Sequence, residues 1–207
     1  KIFKAIRSKD GEKFIICFRL SMLELVHDGN TMQEVIIIAK ALEKAGITLL
    51  NTGIGWHEAR IPTIVTSVPR AAFVDYTAEV KQHVSVPVIA SNRINMPDVA
   101  EEIVASGQAD MVQMARPFLA DPYWVNKTAT NRVDEINTCI ACNHACLDHA
   151  FKNERVSCVV NPQACFETEL VYIKTKKPKR VAVVGGGVAG MSAATVAASR
   201  GHAVTLF

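Results

Sequence analysis

The chain has 207 residues, 49% hydrophobic and 21% charged, with 11 glycines and 8 prolines, the balance of a globular protein rather than a disordered or fibrous one. A net charge of +3 and a pI near 8.5 are too mild to select nucleic acid as a partner. No apolar run approaches the ~20 residues of a membrane span, and no signal-peptide pattern opens the sequence. It begins at Lys1 without an initiator methionine and stops at Phe207 inside a predicted strand, so we read it as a fragment of a longer protein.

In chain order, Phe14 to Phe18 is a short apolar run that predicts the first strand, with a polar loop after it. Thr31 and Glu34 form a capping-box signature for a helix over about Thr31 to Ala45, with Gly46 as its stop. Ile47 to Gly53 reads as a strand, Tyr76 to Val84 as a helix, Val86 to Ser91 as a strand, Pro97 to Ser106 as a helix and Met111 to Met114 as a strand. Apolar strands alternating with amphipathic helices predict an α/β fold with a parallel sheet. Four such units are half of a (β/α)8 TIM barrel, although a doubly wound open sheet has the same periodicity.

Arg19, His57, Arg93 and Arg116 each follow one of these strands, and in a parallel barrel such ends open on one face, where active sites are built. Any one of them alone reads most simply as a surface residue or half of an ion pair. Four in the same phase favour a common face. In the second half of a barrel, Arg93 and Arg116 would stand at the usual phosphate site, and Arg19 would point at the ring of a flavin.

From about Asp121 the pattern turns irregular. Lys174 to Arg180 (KTKKPKR) is a basic run whose place before an apolar strand predicts a solvated linker. Arg180 to Val184 then reads as a strand, Gly187 to Ser199 as a small-residue helix and Ala203 to Phe207 as a strand, the opening β-α-β of a Rossmann-like domain. The expected organisation is a barrel portion over 1–125, an irregular cysteine segment over 126–173, a linker over 174–179 and a truncated Rossmann-like domain over 180–207. A β-α-β this short cannot bury a core of its own.

Five of the six cysteines fall within Cys139–Cys165. With no sign of export, metal-bound thiolates in a reduced, cytoplasmic compartment fit better than a disulfide framework. Cys139, Cys142, Cys146 and Cys158 are spaced C-x2-C-x3-C-x11-C, a compact triplet with one distant cysteine that is more typical of an iron–sulfur cluster than of structural zinc. Cys165 is a spare thiol that can substitute for Cys158, and Cys17, in an apolar strand, is expected to be a core residue. His144 and His149 are at most supporting groups around the thiolates.

In Gly185-Gly186-Gly187-Val188-Ala189-Gly190, Gly185 suits a tight turn, Gly187 a close backbone approach to pyrophosphate and Gly190 close helix–strand packing. These glycines do not separate FAD from NAD(P). His57 lies in a glycine-flexed loop with Glu58, Ala59 and Arg60, where it can deliver or relay a proton near neutral pH, although an isolated histidine is more often structural.

Asn51 to Thr63 (NTGIGWHEARIPT), Met114 to Asp121 (MARPFLAD), Asn137 to His149 (NTCIACNHACLDH) and the GGGVAG turn together resemble the bacterial NADPH-dependent 2,4-dienoyl-CoA reductases. These are iron–sulfur flavoenzymes of the Old Yellow Enzyme superfamily, and the resemblance runs over essentially the whole chain. It implies the C-terminal half of an FMN-binding TIM barrel, a 4Fe-4S segment and the first β-α-β of an FAD domain. Electrons would pass from NADPH to FAD, the cluster, FMN and a dienoyl-CoA in the β-oxidation of unsaturated fatty acids. By the same resemblance, Arg19, Arg93, Ala115 and Arg116 hold FMN and His57 is catalytic. His57 to Arg60 contact substrate, and Cys139, Cys142, Cys146 and Cys158, rather than Cys165, bind the cluster. Gly185, Gly187 and Gly190 would serve FAD, while the NADPH site and a tyrosine proton donor would lie outside this fragment. Val188 departs from the proline common in the family's turn. Trimethylamine dehydrogenase and 2-enoate reductases share the architecture, and a pure electron-transfer module is the alternative outside catalysis; the run His57 to Arg60 argues against the amine dehydrogenase.

Overall fold

A computed structural model describes residues 1–56 and 59–207. They form two compact units, Lys1–Asn161 and Pro162–Phe207. Among the described residues no helix is long and apolar enough to cross a membrane.

The first unit opens with helix α1 (Ile2–Asp10), followed by strand β1 (Cys17–Leu23), α2 (Met32–Lys44), β2 (Leu49–Ile54), α3 (Val74–Lys81), β3 (Val88–Ala90), α4 (Pro97–Ala105) and β4 (Met111–Val112). The four strands are parallel in the order β1-β2-β3-β4. Each strand lies beside its sequence neighbour without the reversal that defines a doubly wound sheet, so the order is that of consecutive barrel units. Helix α2 starts as its sequence predicts. The Thr31 hydroxyl accepts the Glu34 N–H at 3.3 Å and the Glu34 carboxylate accepts the Thr31 N–H at 2.8 Å, satisfying two open donors reciprocally. Gly46, at φ 97°, takes the left-handed position after the helix.

The first strand differs from its expectation. Phe14 and Ile15 are exposed and precede β1, which runs on through Arg19 and Ser21 to Leu23. Phe18, Leu20 and Met22 pack with Val35, Ile36 and Ala39 of α2 in the core. Alternation along the strand therefore sends Cys17 and Arg19 to the opposite face. The expectation of a core Cys17 is thus corrected: its side of the strand turns away from the helices, and it is exposed. Arg19 stands within β1, not after it, paired in register with Asn51 of β2. Helix α1, not anticipated from the sequence, buries no residue completely but packs Phe3 and Ile6 against the core. A second apolar cluster joins Ala90 of β3 and Ile103 of α4 to Trp124 and Ile136.

After β4 come the short helices α5 (Arg116–Ala120), α6 (Trp124–Ala129) and α7 (Leu147–Phe151). Residues up to Asn161, with Cys139, Cys142, Cys146 and Cys158 among them, belong to the first unit.

In the second unit, β5 (Arg180–Val183) and β6 (Ala203–Leu206) are parallel neighbours joined through α8 (Val188–Ser199), the predicted β-α-β order. The basic run is tied to it: the Thr175 N–H donates to the Arg200 carbonyl at 2.8 Å and the Lys179 N–H to His202 Nδ1 at 3.1 Å. Helix α8 buries no residue.

Candidate functional site

The chain after β3 is locally strained. Asn92 and Arg93 both take left-handed backbone, at φ 69° and 58°, a cost of about 1–3 kcal/mol each that persists only where surrounding contacts impose it. Here the Arg93 carbonyl accepts the Ala71 N–H at 3.1 Å and its Nε donates to the Val68 carbonyl at 2.7 Å. The turn lets Arg93 border a cleft of about 760 Å³ that Arg19, Ala115 and Arg116 also line. Four predicted residues from β1 and from the turns after β3 and β4 are thereby gathered at one site. Burial holds the Arg93 guanidinium below its ordinary pKa, the charges of Arg116 and Arg70 add to this, and Cys139 acts in the opposite sense. A group of mutually repelling cations is an anion site in waiting.

Two features beside this cleft had no role assigned from the sequence, although both lie in the run Asn51 to Thr63. A β-carbon on Gly53 would meet Arg19 Nε at 3.1 Å, so glycine is what lets the Arg19 side chain lie across β2. On the same face, the Asn51 side-chain amide donates to the Gln113 side-chain oxygen, while buried Asn51 Oδ1 has no partner among the described residues.

His57 and Glu58 lie outside the described residues, so the predicted catalytic histidine stays an expectation. Ala59 lines an open pocket of about 1540 Å³ together with Trp56, Gly53, Arg19, Leu147 and Phe151. Arg60 is exposed. Arg19 and Leu147 border both this pocket and the arginine cleft, which are therefore neighbours.

The four cysteines spaced for a cluster line one pocket of about 320 Å³, walled otherwise by Leu119, Ile140, Val159 and neighbouring residues. None is in a disulfide. Burial raises the Cys158 thiol pKa; the Val160 and Asn161 N–H groups oppose this, and Cys139 and Cys146 add to the rise. Among the described residues no three His, Cys, Asp or Glu side chains converge to hold a single metal ion. Cys165 belongs to the second unit. His149 is engaged with the Arg155 carbonyl at 3.0 Å, and His144 is exposed. Cys139 and Arg116 line both the cysteine pocket and the arginine cleft. Arg116 is held there by a 2.5 Å bond from Nη1 to Asn143 Oδ1, in the cysteine loop.

That loop is fastened to the first unit by side-chain bonds. The Asn95 amide donates to the Cys139 carbonyl at 2.9 Å, the Thr66 hydroxyl to the Ile140 carbonyl at 2.6 Å, and the Asn161 amide to the Leu119 carbonyl at 2.9 Å. Upstream, the buried Asp121 carboxylate accepts the Asn137 N–H at 3.0 Å and the Lys127 ammonium at 2.5 Å.

In the second unit, Gly185 has φ 110°, a conformation that favours glycine. A β-carbon on Gly190 would fall 1.8 Å from the Gly185 carbonyl oxygen, whereas one on Gly187 would meet nothing within 4 Å. Close packing thus occurs at Gly190, while Gly187 faces open space.

A sequence profile described as the NADH:flavin oxidoreductase / NADH oxidase family matches residues 1–135. The chain is 41% identical over its full length to a metal reductase of Desulforamulus reducens, covering 31% of that protein. It is 32% identical over its full length to a cinnamate reductase of Clostridium sporogenes, covering 33% of it. Among solved structures, a 2-naphthoyl-CoA reductase in complex with 2-naphthoyl-CoA matches 99% of this chain and 32% of its own, at 37% identity and a TM-score of 0.95. The chain thus spans about a third of the length of these relatives.

Proposed function

We propose, from the premise that this chain belongs to the NADH:flavin oxidoreductase / NADH oxidase family, that the whole protein is an iron–sulfur flavoenzyme reducing 2,4-dienoyl-CoA thioesters with NADPH. The observation that carries this reading is the shared wall, where Cys139 and Arg116 border both the arginine cleft and the four-thiol pocket. Two redox groups bound in these sites would be near neighbours.

The residues present fit the groups this reading needs. Arg93 and Arg116 repel one another in the cleft, so they would hold an FMN phosphate, whose charge would relieve that repulsion. Four free thiols around one apolar pocket suit a 4Fe-4S cluster, whose irons offset the repulsion between thiolates. Open space at Gly187 suits the FAD pyrophosphate. Held by these residues, FAD would supply hydride acceptance from NADPH, the cluster single-electron transfer and FMN hydride donation to the substrate.

In this reading Arg19, Arg93 and Arg116, with the backbone at Ala115, orient FMN. Cys139, Cys142, Cys146 and Cys158 bind the cluster, and Gly185, Gly187 and Gly190 bind FAD. His57 stabilises the charge that develops on the conjugated thioester and moves a proton, while Glu58, Ala59 and Arg60 position the substrate. The complex of the solved relative with an aryl-CoA supports a thioester substrate. The clustering of Cys139, Cys142, Cys146 and Cys158 in one pocket supports a reducing, cytoplasmic setting. The corresponding division is a barrel portion over 1–125, a cluster segment over 126–173 and an FAD domain from 180.

The test is NADPH-dependent loss of dienoyl absorbance from 2,4-decadienoyl-CoA, using the whole protein purified anaerobically. Turnover supports the assignment. Turnover of 2-naphthoyl-CoA or free cinnamate alone replaces the substrate class, and none of these with flavins and iron intact overturns the reductase reading.

A further inference from the structure

We infer that Asn95 is a positioning residue for Cys139, holding the cysteine that borders both the four-thiol pocket and the arginine cleft; the inference rests on the cluster reading above. Asn95 is 4% exposed and lines the cleft. Its Nδ2 donates to the Cys139 carbonyl at 2.9 Å. Because a carbonyl only accepts, the amide nitrogen must face Cys139, which leaves Asn95 Oδ1 buried and without a partner among the described residues. An unpartnered buried acceptor costs stability, and the bond donated to Cys139 is what offsets the burial of this amide.

The loop carrying Asn95 is itself fixed. Trp124 Nε1 donates to the Asn95 carbonyl at 3.3 Å, and the Thr138 hydroxyl to Met96 Sδ at 3.3 Å. Thr66 already tethers the neighbouring Ile140 carbonyl, so general anchoring of the cysteine loop does not depend on Asn95. What Asn95 adds is a bond to the ligand residue itself, from a position already held by a buried indole. Partners of this kind orient metal ligands, and their loss typically costs about 10–100-fold in metal affinity.

The whole protein with its cluster loaded allows a direct test through iron release to a chelator and the EPR spectrum of the reduced cluster. Asn95→Leu should load iron, release it about tenfold faster and show an altered EPR line shape. Asn95→Ala, which also removes the donor, should likewise accelerate release and carries the test if the leucine variant does not fold. Thr66→Val should leave both readouts at wild-type values. Unchanged release and spectrum in both Asn95 variants would overturn the inference, as would equal acceleration by Thr66→Val, which marks a generic tether. A wild-type protein that holds no iron overturns the cluster reading itself, and it does so before any variant is made.

Discussion

Replacing Asp121 by asparagine should loosen the segment that leads into the cysteine pocket. The Asp121 side chain is 2% exposed and its carboxylate meets the Lys127 ammonium at 2.5 Å, with Lys127 16% exposed. It also accepts the Tyr123 N–H at 2.9 Å and the Asn137 N–H at 3.0 Å, two residues before Cys139. Removing one partner of a buried ion pair costs about 3–5 kcal/mol. Asparagine keeps one acceptor oxygen, and Lys127 keeps the Glu135 carbonyl at 2.8 Å, so the expected loss is about 2–3 kcal/mol. Urea unfolding followed by the buried Trp124, in a Trp56→Phe background, reads it out. A loss below about 1 kcal/mol would refute the reasoning. So would Asp121→Asn/Lys127→Met proving as unstable as Asp121→Asn, because removing both charges should recover part of the loss. The pH dependence adds a check. Burial raises the Asp121 pKa, but Lys127 and the Asn137 and Tyr123 N–H groups outweigh it, and the net shift is downward. A depressed carboxylate stabilises the fold above its unfolded pKa of about 3.9 and loses that contribution as pH falls through the folded value. The gap between wild type and Asp121→Asn should therefore be constant near neutrality and close below about pH 4.

Arg93→Met should weaken FMN retention during dialysis about 10–100-fold, the worth of one hydrogen bond to a charged group; retention equal to wild type would move the phosphate elsewhere. Gly190→Ala should deplete FAD while leaving FMN and iron in place, because the new methyl meets the Gly185 carbonyl; an unchanged ratio of extracted FAD to FMN contradicts that role. His57→Ala should cut dienoyl-CoA reduction by about 10²–10⁴-fold while sparing NADPH oxidation by an artificial acceptor. Equal loss of both activities would remove His57 from the chemistry.

Features encoded by neighbouring residues could be read from the sequence. The capping box at Thr31 and Glu34 needs only one turn of helix, and it closes as expected. The demands on Gly185 and Gly190 arise within six consecutive residues, and backbone geometry meets them. The spacing of the four cysteines likewise indicated a common pocket. Cys17 was misread because an apolar run does not reveal which strand face meets the helices; packing of Phe18, Leu20 and Met22 against α2 decides that. The bond from Asn95 to Cys139 joins residues 44 apart, and that from Asn51 to Gln113 joins residues 62 apart. Neither pair belongs to a local pattern. The first joins the turn after β3 to the cysteine loop and the second joins β2 to the residue just after β4, so each contact is set by strand register and packing rather than by chain order. Local chemistry thus named the arginines and thiols, while folding made Cys139 and Arg116 the wall between two sites, since distance in space is fixed by packing and not by order along the chain.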